Sequence, residues 1–385
     1  MVDNPYRGFI RYLDKYQKKK DFSYYDAVIL QQSIQIYYSR NFGAIPYETW
    51  QKENEVHISI TKDTLPICSK NIDISMNHLQ DILIMLNENP YDSNYEYNID
   101  LKTLHNVKKE LEDLNNMIGM ETLKTSIMQQ MIYFIQGLHI SKDPSKNDYK
   151  HTILMGPPGT GKTEIAKIIG NMYAKLGILK KNVFKKVTRS DLVAGYLGQT
   201  AIKTKKVIEE CLGGVLFIDE AYALGDDSFS KECIDTLCEA LSDHKDDLMV
   251  IVAGYEKELN ETFFKINSGM PSRFIWRFAI ESYTPKELKL IFEKQVLDNG
   301  WEIREESPLK ELWFQKNKDA FLHYGRDMEI LFSYVKISHA QRIFGKDKLE
   351  KKKIIEDDLE NGFKLFTQHK KILKPTSTSL YSMYV

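Results

Sequence analysis

The 385 residues include only four cysteines, at positions 68, 211, 233 and 238. None forms a C-x-x-C pair and no histidine cluster accompanies them, which argues against a structural zinc site and against a disulfide framework. Cys233 and Cys238 fall in a stretch that reads as helix core. Charge of one sign is missing as well. Lys and Arg number 53 and Asp and Glu 54, for a formal net charge of −1, which speaks against a nucleic-acid or membrane footprint over the whole protein. Long apolar runs are absent, and windows such as 82–86 and 248–254 fall far short of the ~20 residues that span a bilayer. Met1-Val2-Asp3-Asn4-Pro5 carries no apolar signal-peptide core. The expectation is a reduced, cytoplasmic protein. The lysine runs 18–20 and 351–353 read as solvated charged faces.

What is present is concentrated in the middle of the chain. Gly156-Pro157-Pro158-Gly159-Thr160-Gly161-Lys162-Thr163 fits the phosphate-binding pattern G-x-x-x-x-G-K-[ST] at every required position. The apolar run 151–155 before it reads as a buried strand and 164–173 after it as a helix. Each residue type has a task there. Glycines let backbone N–H groups converge on β- and γ-phosphates without a Cβ in the way, and the helix N-terminus adds partial positive charge. Lys162 brings a full charge to the phosphates, and the Thr163 hydroxyl is a ligand for Mg2+.

A second motif lies downstream. Four apolar residues, Val215 to Ile218, make a central strand that ends in Asp219 and Glu220. In open α/β sheets that edge is where ligands bind. Asp219 is placed to hold Mg2+, directly or through water. Glu220 is placed to polarise an attacking water.

The surrounding pattern is α/β. Strands are expected near 151–155, 183–188, 214–219, 248–253 and 274–279, alternating with helices, which implies a parallel sheet covered on both faces. From Thr284 to about Phe366 helices take over, opened by the capping sequence Thr284-Pro285-Lys286-Glu287. Before the core, 11–20, 24–38, 76–86 and 101–114 look helical, and 87–98 reads as a polar, turn-rich linker. The segment 367–385 is expected to be a flexible tail.

The pairing of GPPGTGKT with FIDEA resembles AAA+ ATPases. Several further segments are similar to the CbxX/CfqX group, which includes the red-type rubisco activases. They are 187–201 (VTRSDLVAGYLGQTA), Gly213-Gly214, Glu220-Ala221-Tyr222 and Val252-Ala253-Gly254-Tyr255. The wording of this core resembles copies carried by large DNA viruses of protists, for which cytoplasmic means the host cytoplasm. The resemblance covers roughly residues 113–366. It implies an AAA+ P-loop core with a parallel sheet at 111–282 and a small α-helical lid domain at 283–366. A mainly helical N-terminal recruitment domain and linker would occupy 1–110, and the tail 367–385.

The resemblance also implies roles. Ile118 and Gly119 match the segment that packs on adenine. Arg273 matches the arginine finger that reaches a neighbouring subunit, with Arg277 a nearby competitor. Arg326 matches the sensor-2 arginine of the lid. A guanidinium suits both tasks, because it is always charged and pairs bidentately with phosphate oxygens. Tyr196 matches the aromatic of a pore loop, and 225–231 would be a second pore-facing loop. Many relatives carry Asn at the end of the fourth strand. Here the strand ends Ala253-Gly254-Tyr255, and no residue is assigned that task. The implied protein is an ATP- and Mg2+-dependent ring ATPase, a homo-oligomer and expected hexamer, that remodels or threads a protein client. The alternatives are a nucleic-acid-directed motor or loader and an ATP-dependent assembly scaffold.

Overall fold

The computed structural model describes residues 68–373, apart from 197, 226 and 347–349. The helices expected at 11–20 and 24–38, the lysine run 18–20 and the segment 374–385 lie outside the described residues.

The chain divides into two units, one formed by 1–72 and 92–99, the other by 73–91 and 100–385. In the first, strands β1 (Cys68–Lys70) and β2 (Tyr95–Tyr97) pair in parallel. Asn98 closes the ladder by accepting from Ile72 N at 2.8 Å and donating to Ile72 O at 3.0 Å. Part of the expected linker is therefore a strand.

The second unit holds a five-stranded parallel sheet: β3 (Thr152–Met155), β4 (Phe184–Val187), β5 (Val215–Ile218), β6 (Met249–Gly254) and β7 (Trp276–Ala279). The spatial order is β4-β5-β6-β3-β7. All five expected strands are present. β5 and β6 are buried at every position, as continuous apolar runs in a doubly covered parallel sheet must be. The strands on either side of a crossover end at the same edge, so the segments after β3, β5 and β6 converge there.

The expected helix at 101–114 is two helices, Leu101–Asn106 and Lys108–Asn115, broken at Val107. Val107 is fully buried, so packing fixes the break.

The C-terminal part is built on Pro285–Asp298, Glu311–Asn317, Tyr324–Ile343 and Glu356–Leu373. Thr284 caps the first of these in a capping box with Glu287. Its core is aromatic, with Phe292, Phe314, Phe321 and Phe366 all but inaccessible, and each such burial contributes about 1.5–3 kcal/mol. Two features differ from the sequence expectation. A parallel ladder joins β8 (Glu302–Ile303) to β9 (Lys353–Ile354), so Lys353 of the lysine run is a strand residue. The last helix runs to Leu373, so 367–373 is helix rather than flexible tail. It is held by Lys370, whose Nζ donates to Ala320 O at 2.7 Å and to the buried carboxylate of Asp327 at 2.9 Å.

Candidate nucleotide site

The loop 156–163 leaves β3 at its C-terminal end and enters the Lys162–Lys175 helix. Gly159 and Gly161 have φ of +72° and +82°, a region that favours glycine. A Cβ on Gly159 would collide with the His323 carbonyl oxygen. The Lys162 ammonium lies inside the loop, donating to Gly156 O at 2.8 Å and Pro157 O at 2.7 Å. Burial pushes its pKa down, opposed by Asp219 and Glu220 and reinforced by Arg326. An anion entering the loop would relieve that cost.

The loop borders a cavity of about 280 Å³ that also takes in Asp219, Glu220, Tyr222, Tyr255 and Arg326. The two sequence motifs and the C-terminal arginine, far apart in the chain, therefore meet at one edge of the sheet. Glu220 is exposed and adopts a left-handed conformation, φ 52°, and its N–H donates to Asp219 Oδ1 at 3.1 Å. Asp219 pairs with Lys186 on β4 at 2.6 Å.

A second cavity, about 730 Å³, is lined by Met117, Ile118, Gly161, Tyr283, Ile291 and Arg326 among others. It shares Gly159, Gly161, Glu164 and Arg326 with the first. An apolar wall beside a polar phosphate loop is the arrangement a nucleoside triphosphate requires. Gly119 follows Ile118 at φ +68° and packs on Glu287.

The donor set bears on metal. Among the described residues no group of three or more His, Cys, Asp or Glu side chains could hold a metal ion. A cation at Thr163 and Asp219 would take its other ligands from phosphate and water, which fits Mg2+ and not a cation that needs a full protein cage.

Arg273 lies apart from both cavities. Its Nε donates to Ser242 Oγ at 2.9 Å and its Nη1 to Gly269 O at 2.8 Å. Trp276 of β7 is level with Thr152 of β3, and Ala279 with Met155. Arg273 thus precedes the start of β7, while the phosphate loop follows the end of β3, at least ~13 Å along the sheet at 3.3 Å per residue. It does not face its own loop. Arg277 is exposed and lies over the Phe264 ring, 5.5 Å from its centroid.

Tyr196 is 73% exposed. Gly195 and Gly198 beside it meet nothing within 4 Å of a would-be Cβ. Of the second expected loop, the described part leads into the Ser228–Asp243 helix, N-capped by Asp227. Cys233 and Cys238 are buried in that helix.

Sequence reasoning missed three groups. Tyr222 and Tyr255 stack at 5.2 Å and 17°, and the Tyr255 ring lies 5.6 Å from Lys162 Nζ. Burial, with Glu220 and Tyr255 beside it, pushes the Tyr222 hydroxyl up to about 12. Lys186, the exposed position of β4, reaches Asp219. The phrase Ala253-Gly254-Tyr255 was a signal for Tyr255, since it ends a strand at the ligand edge.

Residues 152–280 match the model of the ATPase family associated with various cellular activities (AAA). A putative cfxQ-like protein of Acanthamoeba polyphaga mimivirus is 39% identical over 280 residues, covering 71% of this chain and 68% of that protein. The chain belongs to the CbxX/CfqX group of AAA+ ATPases. As a member of that group it is a P-loop ATP hydrolase. Stage V sporulation protein K of Bacillus subtilis is 34% identical over 217 residues, covering 54% of this chain and 66% of that one. The chloroplastic ribulose bisphosphate carboxylase/oxygenase activase of Cyanidioschyzon merolae is 32% identical over 250 residues, covering 62% and 84%. Among the described residues of this AAA+ protein, no helix is long and apolar enough to cross a membrane.

Proposed function

We propose that this AAA+ ATPase works as a ring, a hexamer, that uses ATP and Mg2+ to remodel a protein client gripped by the Tyr196 loops. The observation that carries the reading is the meeting of Lys162, Asp219, Glu220 and Arg326 around one cavity, with an exposed tyrosine on a glycine-flanked loop elsewhere in the same unit.

In this reading the backbone N–H groups of 159–163 and the Lys162 ammonium bind the phosphates. Ile118, Gly119 and Met117 pack on the base. Thr163 and Asp219 hold Mg2+, which when bound neutralises charge on the phosphate oxygens. Glu220 orients and deprotonates the attacking water. Arg326 joins the C-terminal lid to the phosphates. Arg273, which faces away from its own loop, serves the site of a neighbouring subunit. Tyr196 provides a large aromatic contact with little rotamer loss. The near-zero net charge supports a protein client over a nucleic acid. The region before residue 111 recruits that client.

The test is affinity capture on a Glu220→Gln background, which binds ATP without turning it over. A client should be captured with ATP and lost without it. Adding Tyr196→Ala should abolish capture while a nucleotide titration stays unchanged. Capture that survives Tyr196→Ala would reject gripping by this loop.

A further inference from the structure

Arg189 opens the short helix Arg189–Leu192 that follows β4. Its Nη1 lies 3.0 Å from Ala223 O and 2.8 Å from Asp227 Oδ2, and also reaches Ser230 Oγ. Those three oxygens belong to one device. Ala223 closes the turn Ala221–Ala223, for which Glu220 is the N-terminal cap residue. Asp227 caps the next helix by accepting from Ser230 N at 2.9 Å. Its carboxyl is held well below the usual carboxylate range, chiefly by Arg189.

The other side of Arg189 leads to Tyr196. The segment that carries the tyrosine is anchored at both ends. Lys203 Nζ donates to Ser190 O at 2.7 Å and Val193 O at 2.9 Å. Thr204 Oγ1 donates to Leu192 O at 3.1 Å, and Ala194 N donates to Thr200 Oγ1 at 3.2 Å. The anchors are firm and the tip is open. A Cβ on Gly195 or Gly198 would meet nothing within 4 Å, and Tyr196 between them is 73% exposed, so little packs on the tip that Arg189 and these anchors carry.

We infer that Arg189 is a positioning residue that ties the turn after Glu220 to the base of the Tyr196 loop, so that nucleotide at the Glu220 site sets the order of that loop. The inference rests on the functional reading above and adds to it the side chain that links its two ends. Stability alone does not explain the arrangement. The Arg189 and Asp227 side chains are 36% and 42% exposed, and exposed ion pairs contribute about 0–1 kcal/mol. Arg189→Ala should fold.

The experiment is hydrogen–deuterium exchange over residues 190–204 of the full chain, with and without ATP, in the Glu220→Gln background. ATP binding is titrated on the same preparations. In the parent, ATP should slow exchange in this segment about fivefold or more, and Arg189→Ala should cut the change to less than about twofold with ATP affinity kept. Arg189→Lys should restore part of it, since an ammonium reaches some of the same oxygens. An undiminished response in Arg189→Ala would overturn the inference. So would a segment that ignores ATP in the parent although ATP binds. Failure of ATP to bind at all would overturn the nucleotide reading itself, and the titration separates that case.

Discussion

The backbone N–H of Gly325 donates to the carbonyl oxygen of Gly159 at 3.0 Å, so the C-terminal helical part touches the phosphate loop directly. A Cβ on Gly325 would stand 2.8 Å from that same oxygen. Gly325→Ala must push the start of the Tyr324–Ile343 helix, and Arg326 with it, off the loop. Nucleotide affinity should fall about tenfold, roughly 1.4 kcal/mol, with the melting temperature nearly unchanged. Titration with ATP and ADP alongside a thermal melt reads both. Unchanged affinity would show that the contact is incidental.

Lys162→Ala removes the ammonium that donates to the loop carbonyls of Gly156 and Pro157. A hydrogen bond to a charged group contributes about 1.5–3 kcal/mol, so ATP binding should weaken about tenfold to a hundredfold. The same titration checks it, and wild-type affinity would remove the lysine from the site.

Much of this was legible in the sequence for identifiable reasons. The loop 156–163 and the pair Asp219-Glu220 were readable because phosphate chemistry constrains residue types at fixed spacing. The five strands were readable because a doubly covered sheet demands apolar runs such as 215–218 and 249–253. The β8/β9 ladder was not, since two residues per strand leave no period, and Lys353 looks like its lysine neighbours. The break at Val107 and the helix through Leu373 depend on what packs there, namely a buried valine and the Lys370 tie to Asp327. The contact of Gly325 with Gly159 spans 166 positions (325 minus 159), and local pattern carries no trace of it. The stacking of Tyr222 on Tyr255 likewise exists only once β5 and β6 lie side by side.

His151 gives a pH dependence with a definite sign. It is fully buried, and burial pushes its pKa down to about 3. Its Nδ1 accepts from Val250 N at 3.1 Å, and its Nε2, carrying the proton, faces Leu241 O at 3.3 Å. Below the ordinary histidine pKa, the unfolded chain takes up a proton that the folded chain refuses. The contribution to stability is complete above pH ~6.5 and is lost as pH falls from there toward 3. The slope approaches about 1.4 kcal/mol per pH unit. Denaturant unfolding of the wild type and of His151→Gln, near neutral and near pH 5, measures it. Gln keeps a donor and an acceptor without a charge, so the variant should lose less stability on acidification. Equal losses would place the acid sensitivity elsewhere.

In the proposed ring, ATP is hydrolysed at a site shared between subunits, with Glu220 from one chain and Arg273 from the next. Arg273→Ala alone should bind ATP normally and hydrolyse it slowly, since fingers supplied in trans contribute about 10³–10⁵ in rate. Glu220→Gln alone should also bind and scarcely turn over. Mixing the two variants is the most direct measurement, because some interfaces then combine an intact Glu220 with a neighbour's intact Arg273. Steady-state ATPase activity should partly return on mixing and rise with the fraction of mixed rings. Verified mixing with no recovery at any ratio would contradict a shared site.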